Sequence, residues 1–156
     1  MSRLLRVLYA SRWANVLGDD AEAALHRIVA TSIGNNRLAN ITGLLVAHDG
    51  WFLQVLEGPE ASVRPLMERI ARDPRHRGVR VIAQEQCAAR LFQDWDMAGA
   101  RLSPEADPLL IELGQIARFD GYALDGKGAL HLMVFAAEAR RRRERESLGI
   151  GISRAG

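Results

Sequence analysis

Short apolar runs occur three times in the first sixty residues of this chain. RLLRVLYA at 3–10, ITGLLVAH at 41–48 and WFLQVLEG at 51–58 each have the length and apolar content typical of a buried strand. The dipeptide Asp49-Gly50 separates the last two runs and favours the tight turn of a β-hairpin. The pattern therefore predicts one strand followed, after a gap, by two antiparallel strands.

Two helices are predicted on either side of this hairpin. The first starts at an N-cap, Asp19 or Asp20, and ends at Gly34, whereas the second starts at Pro59 and ends at Asp73. Each helix carries an apolar stripe that we expect to pack on the sheet. The stripes are Leu25, Ile28, Val29 and Ile33 in the first helix and Val63, Leu66, Met67 and Ile70 in the second.

Two further strands are predicted in VRVIAQE at 79–85 and ARLFQDWDMA at 89–98, which completes the order βαββαββ. This order predicts an α+β fold of the ferredoxin-like type, with a five-stranded mixed sheet and two helices on one face. A C-terminal helical pair is expected to cap the other face. It comprises a helix that begins with ALHLMVFAAEAR at 129–140 and a preceding apolar stripe of Leu109, Leu110, Leu113 and Ile116.

The composition, 48% hydrophobic and 26% charged, is ordinary for a soluble globular protein. No apolar run approaches the roughly 20 residues that span a bilayer, and the N-terminus lacks the features of a signal peptide. We therefore expect a cytoplasmic protein without membrane contact. Cys87 is the single cysteine and the four histidines fall at no metal-ligand spacing, so neither a disulfide nor a metal site is expected.

Much of the positive charge lies in one run, EARRRRERE at 138–146. It can form a patch for an acidic partner or a nucleic acid, or it can be a solvated helix end in which Glu138 pairs with Arg142. No aromatic residues are interleaved with the arginines of this run, Arg140 to Arg143, as a single-strand binder would require. Nucleic-acid binding is therefore not expected.

An amide in the middle of the most apolar strand needs an explanation. Side chains alternate along a strand, and both faces here are apolar, so Gln54 is expected to point into the protein. A buried amide without partners costs about 1 to 3 kcal/mol for each unmet group. Tyr9, near the end of the first strand, and Asn35 and Asn36, near the end of the first helix, are candidate partners. Either a packing network or a binding site can result.

Other candidates for chemistry are weaker. Asp73 and His76 can form an acid/base pair, although DPRH at a helix end is also typical of a cap and turn. Trp95 and Met97 alternate in QDWDMA and are expected to fill one face of a strand, and Trp13 is expected in a loop. No nucleophile elbow or phosphate-binding glycine loop is present.

These features together resemble the BLUF family, the blue-light sensors using flavin. The resemblance extends from about residue 3 to residue 98 and rests on motifs in a fixed order, which makes it specific. They are LYAS with its tyrosine, NNRLANITGLL with its paired asparagines, DGWFLQVLEG with its glutamine, RIARDPRH at the end of the second helix, and FQDWDM. The resemblance implies a flavin-binding domain at 1–100, with capping helices and a basic tail at 101–156 in the same globular unit.

The resemblance also implies a site for an oxidised flavin, FAD or possibly FMN, between the two helices. By motif match, Gln54 would bridge the Tyr9 phenol and the N5/O4 edge of the ring, and Asn35 and Asn36 would bond its pyrimidine end. Ile28 would pack against the ring. Three residues match positions near the ribityl and phosphate part: Arg69, Asp73 and His76.

The function implied is light sensing without turnover of a substrate, so we expect no enzyme activity. In the family, an electron and a proton pass from the tyrosine to the excited flavin and back, and the glutamine ends in a new tautomer or orientation. The resulting red-shifted state reverses in the dark. Trp95 and Met97 would relay the change to the capping helices and on to a protein partner or a homo-oligomer interface.

Three departures from the family pattern are visible. The segment between Tyr9 and Asn36 is longer, which could bring Trp13 towards the flavin as a competing electron donor. Asn40 stands where glycine is common, and Asn tolerates a positive φ better than most residues. Trp51 replaces a smaller apolar residue. None of these removes a named flavin contact.

Two other functions are kept as alternatives. One is a light-insensitive ferredoxin-like regulatory binding module in which Tyr9 and Gln54 only specify packing. The other is a flavin-dependent oxidoreductase, which the sequence supports less because it has no nicotinamide-binding glycine fingerprint.

Overall fold

A computed structural model of the chain describes residues 3–13, 21–74 and 76–155, with side chains described for 3–13, 22–74 and 76–148. The N-cap predicted at Asp19 or Asp20 lies outside these residues. Five strands, four α-helices and two short 3-10 helices are described. The strands are β1 (Leu4–Trp13), β2 (Thr42–His48), β3 (Trp51–Pro59), β4 (His76–Cys87) and β5 (Ala98–Arg101). The helices are α1 (Ala21–Leu38), α2 (Glu60–Arg72), α3 (Asp107–Glu112) and α4 (Gly126–Ala155), with 3-10 turns at Pro104–Ala106 and Gly121–Ala123.

The strands form one sheet in the order β4-β1-β3-β2-β5. β1 pairs antiparallel with both β3 and β4, β2 pairs antiparallel with β3, and β5 pairs parallel with β2. Asp49 and Gly50 join β2 to β3 with φ values of 51° and 82°, the left-handed pair that a two-residue hairpin turn needs. The predicted hairpin and the mixed five-stranded sheet are both confirmed.

Each face of the sheet is covered by its own apolar layer. On one face, apolar residues of α1 and α2 pack against inward-facing residues of β1 and β3. This layer includes Leu25 and Ile28 of α1, Val63 of α2, and Phe52 and Leu56 of β3. On the other face, α4 lies across the sheet with residues such as Leu132, Met133, Leu53 and Val55, and Leu109 and Leu110 of α3 join them. The ferredoxin-like α+β fold with a helical cap is therefore confirmed.

The end of α1 differs from the prediction. The helix does not stop at Gly34 but continues one turn to Leu38. It ends because Asn40 adopts a left-handed conformation, with φ of 58°, and the Ile41 amide donates to the Asn36 carbonyl at 2.8 Å. A Cβ at Gly34 would meet no atom within 4 Å, and it is Asn40 that adopts the positive φ, which asparagine tolerates better than most residues.

The fifth strand also differs from the prediction. Residues 89–98 were expected to form it, but nearly all of this segment is irregular and β5 begins only at Ala98. The reason is that the Glu57 carboxylate accepts the backbone amides of Leu91 and Phe92, at 3.0 and 2.7 Å, and so replaces the strand partners of this segment. Trp13, expected in a loop, is the last residue of β1.

The C-terminal part is confirmed in outline and wrong in detail. The predicted stripe ends early, because α3 stops at Glu112 and Ile116 lies beyond it with 79% of its surface exposed. The second helix runs from Gly126 to Ala155, so it begins three residues before Ala129 and includes the arginine run. Pro59 ends β3 and precedes α2, which begins at Glu60.

None of the helices in the described part of the chain combines the length and apolar character needed to cross a membrane. Within the same residues, no cluster of three or more His, Cys, Asp or Glu side chains is arranged to hold a metal ion.

Candidate functional site

Tyr9 and Gln54 are brought together by the pairing of β1 with β3. The register places them directly opposite each other, and the Tyr9 hydroxyl donates to Gln54 Oε1. Opposite residues of an antiparallel pair project from the same face, which here is the face covered by α1 and α2. The two side chains are 1% and 3% exposed, so this hydrogen bond is shielded from water.

The other end of the Gln54 amide also has a partner. Its Nε2 lies 3.3 Å from the sulfur of Met97, a weak acceptor, and donates to it. No buried side-chain nitrogen or oxygen in the described residues lacks a hydrogen-bond partner. Gln54 therefore links the phenol of Tyr9 to the thioether of Met97, and the partners that its burial requires are present.

A cleft of about 520 Å³ opens between α1 and α2 above this pair. Its volume lies in the range typical of sites for small molecules and cofactors, about 300 to 1,000 Å³. Seven of the eight predicted binding residues line it: Ile28, Asn35, Asn36, Gln54, Arg69, Asp73 and His76. Tyr9, the eighth, reaches the cleft through its bond to Gln54.

The two asparagines occupy the last turn of α1, in the part of the helix beyond Gly34. Asn36 is buried and its Nδ2 donates to the carbonyl of Asp96 at 2.9 Å, which ties α1 to the irregular segment before β5. Asn35 is exposed and its Nδ2 donates to the Thr31 carbonyl at 3.4 Å. Both amides line one end of the cleft.

The other end of the cleft is formed by the end of α2 and the start of β4. Arg69 is exposed in the last turn of α2, and Asp73 is the residue after that helix. The His76 amide donates to the Asp73 carbonyl at 3.1 Å. This is the turn that was expected for DPRH as the alternative to an acid/base pair. His76 itself is buried, and its Nδ1 lies 2.9 Å from Ser11 Oγ.

The ring of His76 lies between two aromatic rings of the core. Its centroid is 5.9 Å from that of Tyr9 and 5.3 Å from that of Phe52, each in an edge-on arrangement. Trp13 is paired with His76 across β1 and β4, so it stands next to this end of the cleft. The buried imidazole thus connects the cleft to the tyrosine by packing.

Trp95 and Met97 do not share a strand face as predicted. Met97 is buried in the layer beneath α1 and α2, whereas Trp95 packs in the layer beneath α4. They separate because the chain bends at this point instead of continuing as a strand, so the alternation rule does not apply. The two residues therefore contact opposite sides of the sheet.

Sequence reasoning missed other residues that line the cleft. Thr31 and Ser32 lie on α1 between Ile28 and Asn35 and donate their hydroxyls to carbonyls one turn earlier, at 2.8 and 2.7 Å. Their spacing of three and four residues from Ile28 was the signal that could have found them. Ser11 was also missed, since nothing in its sequence context indicated a bond to His76.

Comparison with known proteins identifies the family to which this chain belongs. A model described as BLUF, sensors of blue-light using FAD, matches residues 4–98. A photoactivated adenylate cyclase subunit beta of Euglena gracilis is 28% identical over 101 residues, which cover 65% of this chain and 12% of that protein. A blue light- and temperature-regulated antirepressor of Escherichia coli is 28% identical over 89 residues, which cover 57% of this chain and 21% of that protein. The chain thus spans a small part of these relatives.

Solved structures agree. The dark-state structure of BlrB, a BLUF protein, superposes with a TM-score of 0.69 at 28% identity and covers 88% of this chain and 98% of that one. The photo-activated state of BlsA superposes with a TM-score of 0.78 at 24% identity, covers 86% of this chain and 94% of that one, and supports the fold. On the family match, which includes Tyr9, Gln54 and Met97, the chain belongs to the BLUF family of flavin-dependent blue-light sensors.

Proposed function

We propose that the cleft between α1 and α2 holds the flavin and that Tyr9 and Gln54 convert blue light into a change of hydrogen bonding. The observation that carries this proposal is the buried connection Tyr9 to Gln54 to Met97 at the base of the cleft. A glutamine has a donor at one end and an acceptor at the other. It can therefore exist in two arrangements with the same neighbours, which is what a reversible switch requires.

The residues present fit a flavin. Its ring has apolar faces and polar edges, and the cleft offers apolar side chains on α1, β3 and α2, among them Ile28, Leu56 and Ile70. Amides are placed at the base and at one end, in Gln54 and in the Asn35-Asn36 pair. This combination of an apolar lining with a few convergent polar groups is what cofactor sites generally show.

When bound, the flavin would supply the light absorption and a ring that accepts an electron and a proton from Tyr9 and returns them. Before light, Tyr9 holds its proton against Gln54 Oε1, and Gln54 Nε2 donates to Met97. A tautomer or a rotation of the Gln54 amide exchanges its donor and acceptor ends. Met97 then loses its donor, so the rearrangement reaches the segment before β5.

The phosphate-bearing part of the cofactor is assigned to the end of the cleft formed by Arg69, Asp73 and His76. Arg69 presents a guanidinium there, and guanidinium groups bind phosphate oxygens in a bidentate manner. FAD is the proposed cofactor because the family description names it, with FMN as the second choice.

The chain is proposed to act as a sensor and not as an enzyme, with residues 1–100 binding flavin and residues 101–156 capping the sheet. One relative is described as a photoactivated adenylate cyclase subunit and another as a blue light- and temperature-regulated antirepressor, so BLUF segments occur in proteins with different outputs. The output here is assigned to an unidentified protein partner or a homo-oligomer interface in the cytoplasm. The comparisons do not support the light-insensitive module.

Absorption spectroscopy tests the proposal. The purified protein, loaded with FAD if necessary, should show a flavin spectrum that moves to longer wavelength under blue light and returns in the dark. Riboflavin and FMN loaded in parallel show whether the adenylate part matters. A protein that binds none of the three flavins, or one whose spectrum does not respond to light, would contradict it.

A further inference from the structure

Two arginines of the run at 140–143, near the middle of α4, lie against the ring of Trp95. The guanidinium carbons of Arg140 and Arg141 lie 5.7 and 5.2 Å from the centroid of the Trp95 ring, within the range of cation–π contact. The indole nitrogen of Trp95 donates to Glu144 at 3.1 Å, and Arg140 pairs with the same carboxylate at 3.1 Å. We call Arg140, Arg141 and Glu144 the arginine clasp.

The clasp also holds the backbone on both sides of Trp95. Arg140 Nη1 donates to the Gly99 carbonyl at 2.6 Å, and Arg141 Nη2 donates to the Leu91 carbonyl at 3.0 Å. Arg141 Nε pairs with Asp94 as well. The segment 91–99 is therefore attached to α4 at its start, at its middle and at its end.

This segment contains Met97, whose sulfur is hydrogen-bonded to Gln54. Met97 lies two residues from Trp95 and two from Gly99, and it accepts the hydrogen bond of Gln54 Nε2 on the opposite side of the sheet. A displacement of Met97 would therefore move Trp95, which lies in the same bend of the chain and is held against α4 by the clasp.

The next arginine of the run, Arg142, has a different role. Arg142 binds the Glu105 carboxylate with two contacts of 2.9 Å and takes no part in the clasp. It does not pair with Glu138 as the solvated-helix interpretation predicted. Arg140 and Arg141 thus form the clasp on Trp95 and Arg142 forms a separate ion pair, although all three have the same charge.

We infer that Arg140 and Arg141 are positioning residues that hold Trp95 and Met97 in the dark arrangement and make α4 the element that responds to Gln54. The inference rests on the proposed light-sensing function. Because the clasp fixes Met97 where it accepts the Gln54 N–H, it favours the dark hydrogen bonding. Loosening the clasp removes that preference, so the lit state should persist longer.

The test compares Arg140→Gln and Arg141→Gln with Arg142→Gln in the full chain loaded with FAD. Dark recovery after blue light should slow by about five-fold or more in the first two, the lower end of typical coupling between sites, and stay near the wild-type rate in the third. Hydrogen exchange of residues 137–148 should change on illumination in the wild type and Arg142→Gln but not in the clasp variants.

The outcomes separate this inference from the proposed function. A wild type without a red shift contradicts the proposed function. A wild type that shifts, together with clasp variants that recover within two-fold of it and keep the light-dependent exchange of α4, overturns the clasp. If the arginine variants lose flavin, Trp95→Phe replaces them in the same comparison of dark recovery and hydrogen exchange. It keeps an aromatic ring between the arginines and removes the N–H donated to Glu144.

Discussion

Tyr9 and Gln54 face each other across β1 and β3, with the phenol hydroxyl bonded to the amide oxygen and both side chains buried. The contact is a consequence of sheet register. A slip of one residue in β3 would turn Gln54 to the face covered by α4 and leave its amide among apolar side chains. The apolar residues around Gln54 in WFLQVLEG therefore fix the position of its side chain.

Tyr9→Phe is expected to keep flavin bound and to abolish the normal red shift. The substitution removes the hydroxyl that bonds Gln54 Oε1 but keeps the buried ring. Leaving a buried acceptor without this donor costs about 1 to 3 kcal/mol, which a folded domain can tolerate. Light-minus-dark absorption measures the outcome.

The chain has one other tyrosine, and it provides the control. The Tyr122 hydroxyl donates to the Gly78 carbonyl at 2.6 Å, and its ring packs in the layer beneath α4, away from the cleft. Tyr122→Phe should photocycle like the wild type. If Tyr9→Phe also does so, the tyrosine is not the photochemical donor.

Gln54→Leu is expected to retain the cofactor and lose the light response. Leucine has similar bulk, so the base of the cleft stays filled, but it cannot bond Tyr9 or Met97. The exposed residue Gln84 on β4 supplies a matched variant, Gln84→Leu, which should behave as the wild type. A normal red shift in Gln54→Leu would remove the glutamine from the mechanism and leave the fold unaffected.

Arg69→Ala is expected to weaken binding of flavins that carry a phosphate. A hydrogen bond to a charged group contributes about 1.5 to 3 kcal/mol, and Arg69 is exposed, so we expect the lower end, roughly a ten-fold rise in Kd. Fluorescence titration should show the loss for FMN and FAD.

Riboflavin, which has no phosphate, is the ligand control for this prediction, and Arg72→Ala is the protein control. Arg72 is exposed on the same helix and does not line the cleft. An equal loss of riboflavin and FMN affinity in Arg69→Ala would show that Arg69 supports the shape of the cleft and binds no phosphate.

Local patterns in the sequence predicted the part of the fold that local physics controls. The hairpin at Asp49-Gly50 and the burial of Gln54 follow from φ preferences and from alternation, which need only neighbouring residues. The pairing of β1 with β3 is typical of the βαββαββ order of elements. The flavin roles of the seven predicted residues that line the cleft came from the family resemblance, and their contact with a flavin remains a prediction.

The errors arose where a distant residue decides the local structure. The segment 89–98 has an apolar alternation that favours a strand, but Glu57, more than thirty residues earlier, takes two of its backbone amides. Trp95 and Met97 lie on opposite faces of the sheet for the same reason, because the segment that contains them does not continue as a strand. A local sequence pattern cannot predict a contact between residues so far apart in the chain.

Glu57→Ala is expected to destabilise the protein strongly. The Glu57 carboxylate is fully buried and binds Arg6 at 2.8 Å, and removing it leaves a buried guanidinium with one partner fewer. Breaking one side of a buried ion pair typically costs about 3 to 5 kcal/mol. Burial opposes the charge of Arg6, yet hydrogen bonds to Glu57 and Glu85 raise its pKa further, so Arg6 stays charged.

Glu85→Ala is the matched control, because Glu85 binds the same arginine at 2.8 Å with a side chain that is 53% exposed. Exposed pairs contribute about 1 kcal/mol or less. Urea unfolding should therefore give a much lower midpoint for Glu57→Ala than for Glu85→Ala. Similar midpoints would mean that the Glu57 contacts do not hold the segment after β4.

His48 is expected to make stability depend on pH below neutrality. Burial lowers the pKa of this half-buried imidazole; nearby Asp49 and Asp107 act in the opposite direction, and Arg101 adds to the lowering. The unfolded chain keeps the ordinary value of about 6.5 and binds a proton first as the pH falls. The free energy of unfolding should therefore be highest above about pH 6.5 and decrease as the pH falls from there towards the folded pKa.

His48→Phe tests this linkage because it keeps an aromatic ring against Phe119, whose centroid lies 5.1 Å from that of His48, and removes the titrating group. Urea unfolding of wild type and variant between pH 8 and pH 5 should show a smaller loss of stability in the variant. His131 is exposed on α4, so His131→Gln should keep the wild-type slope. If His48→Phe keeps that slope too, the acid sensitivity has its origin in other groups, because a side chain that cannot bind a proton contributes nothing to it.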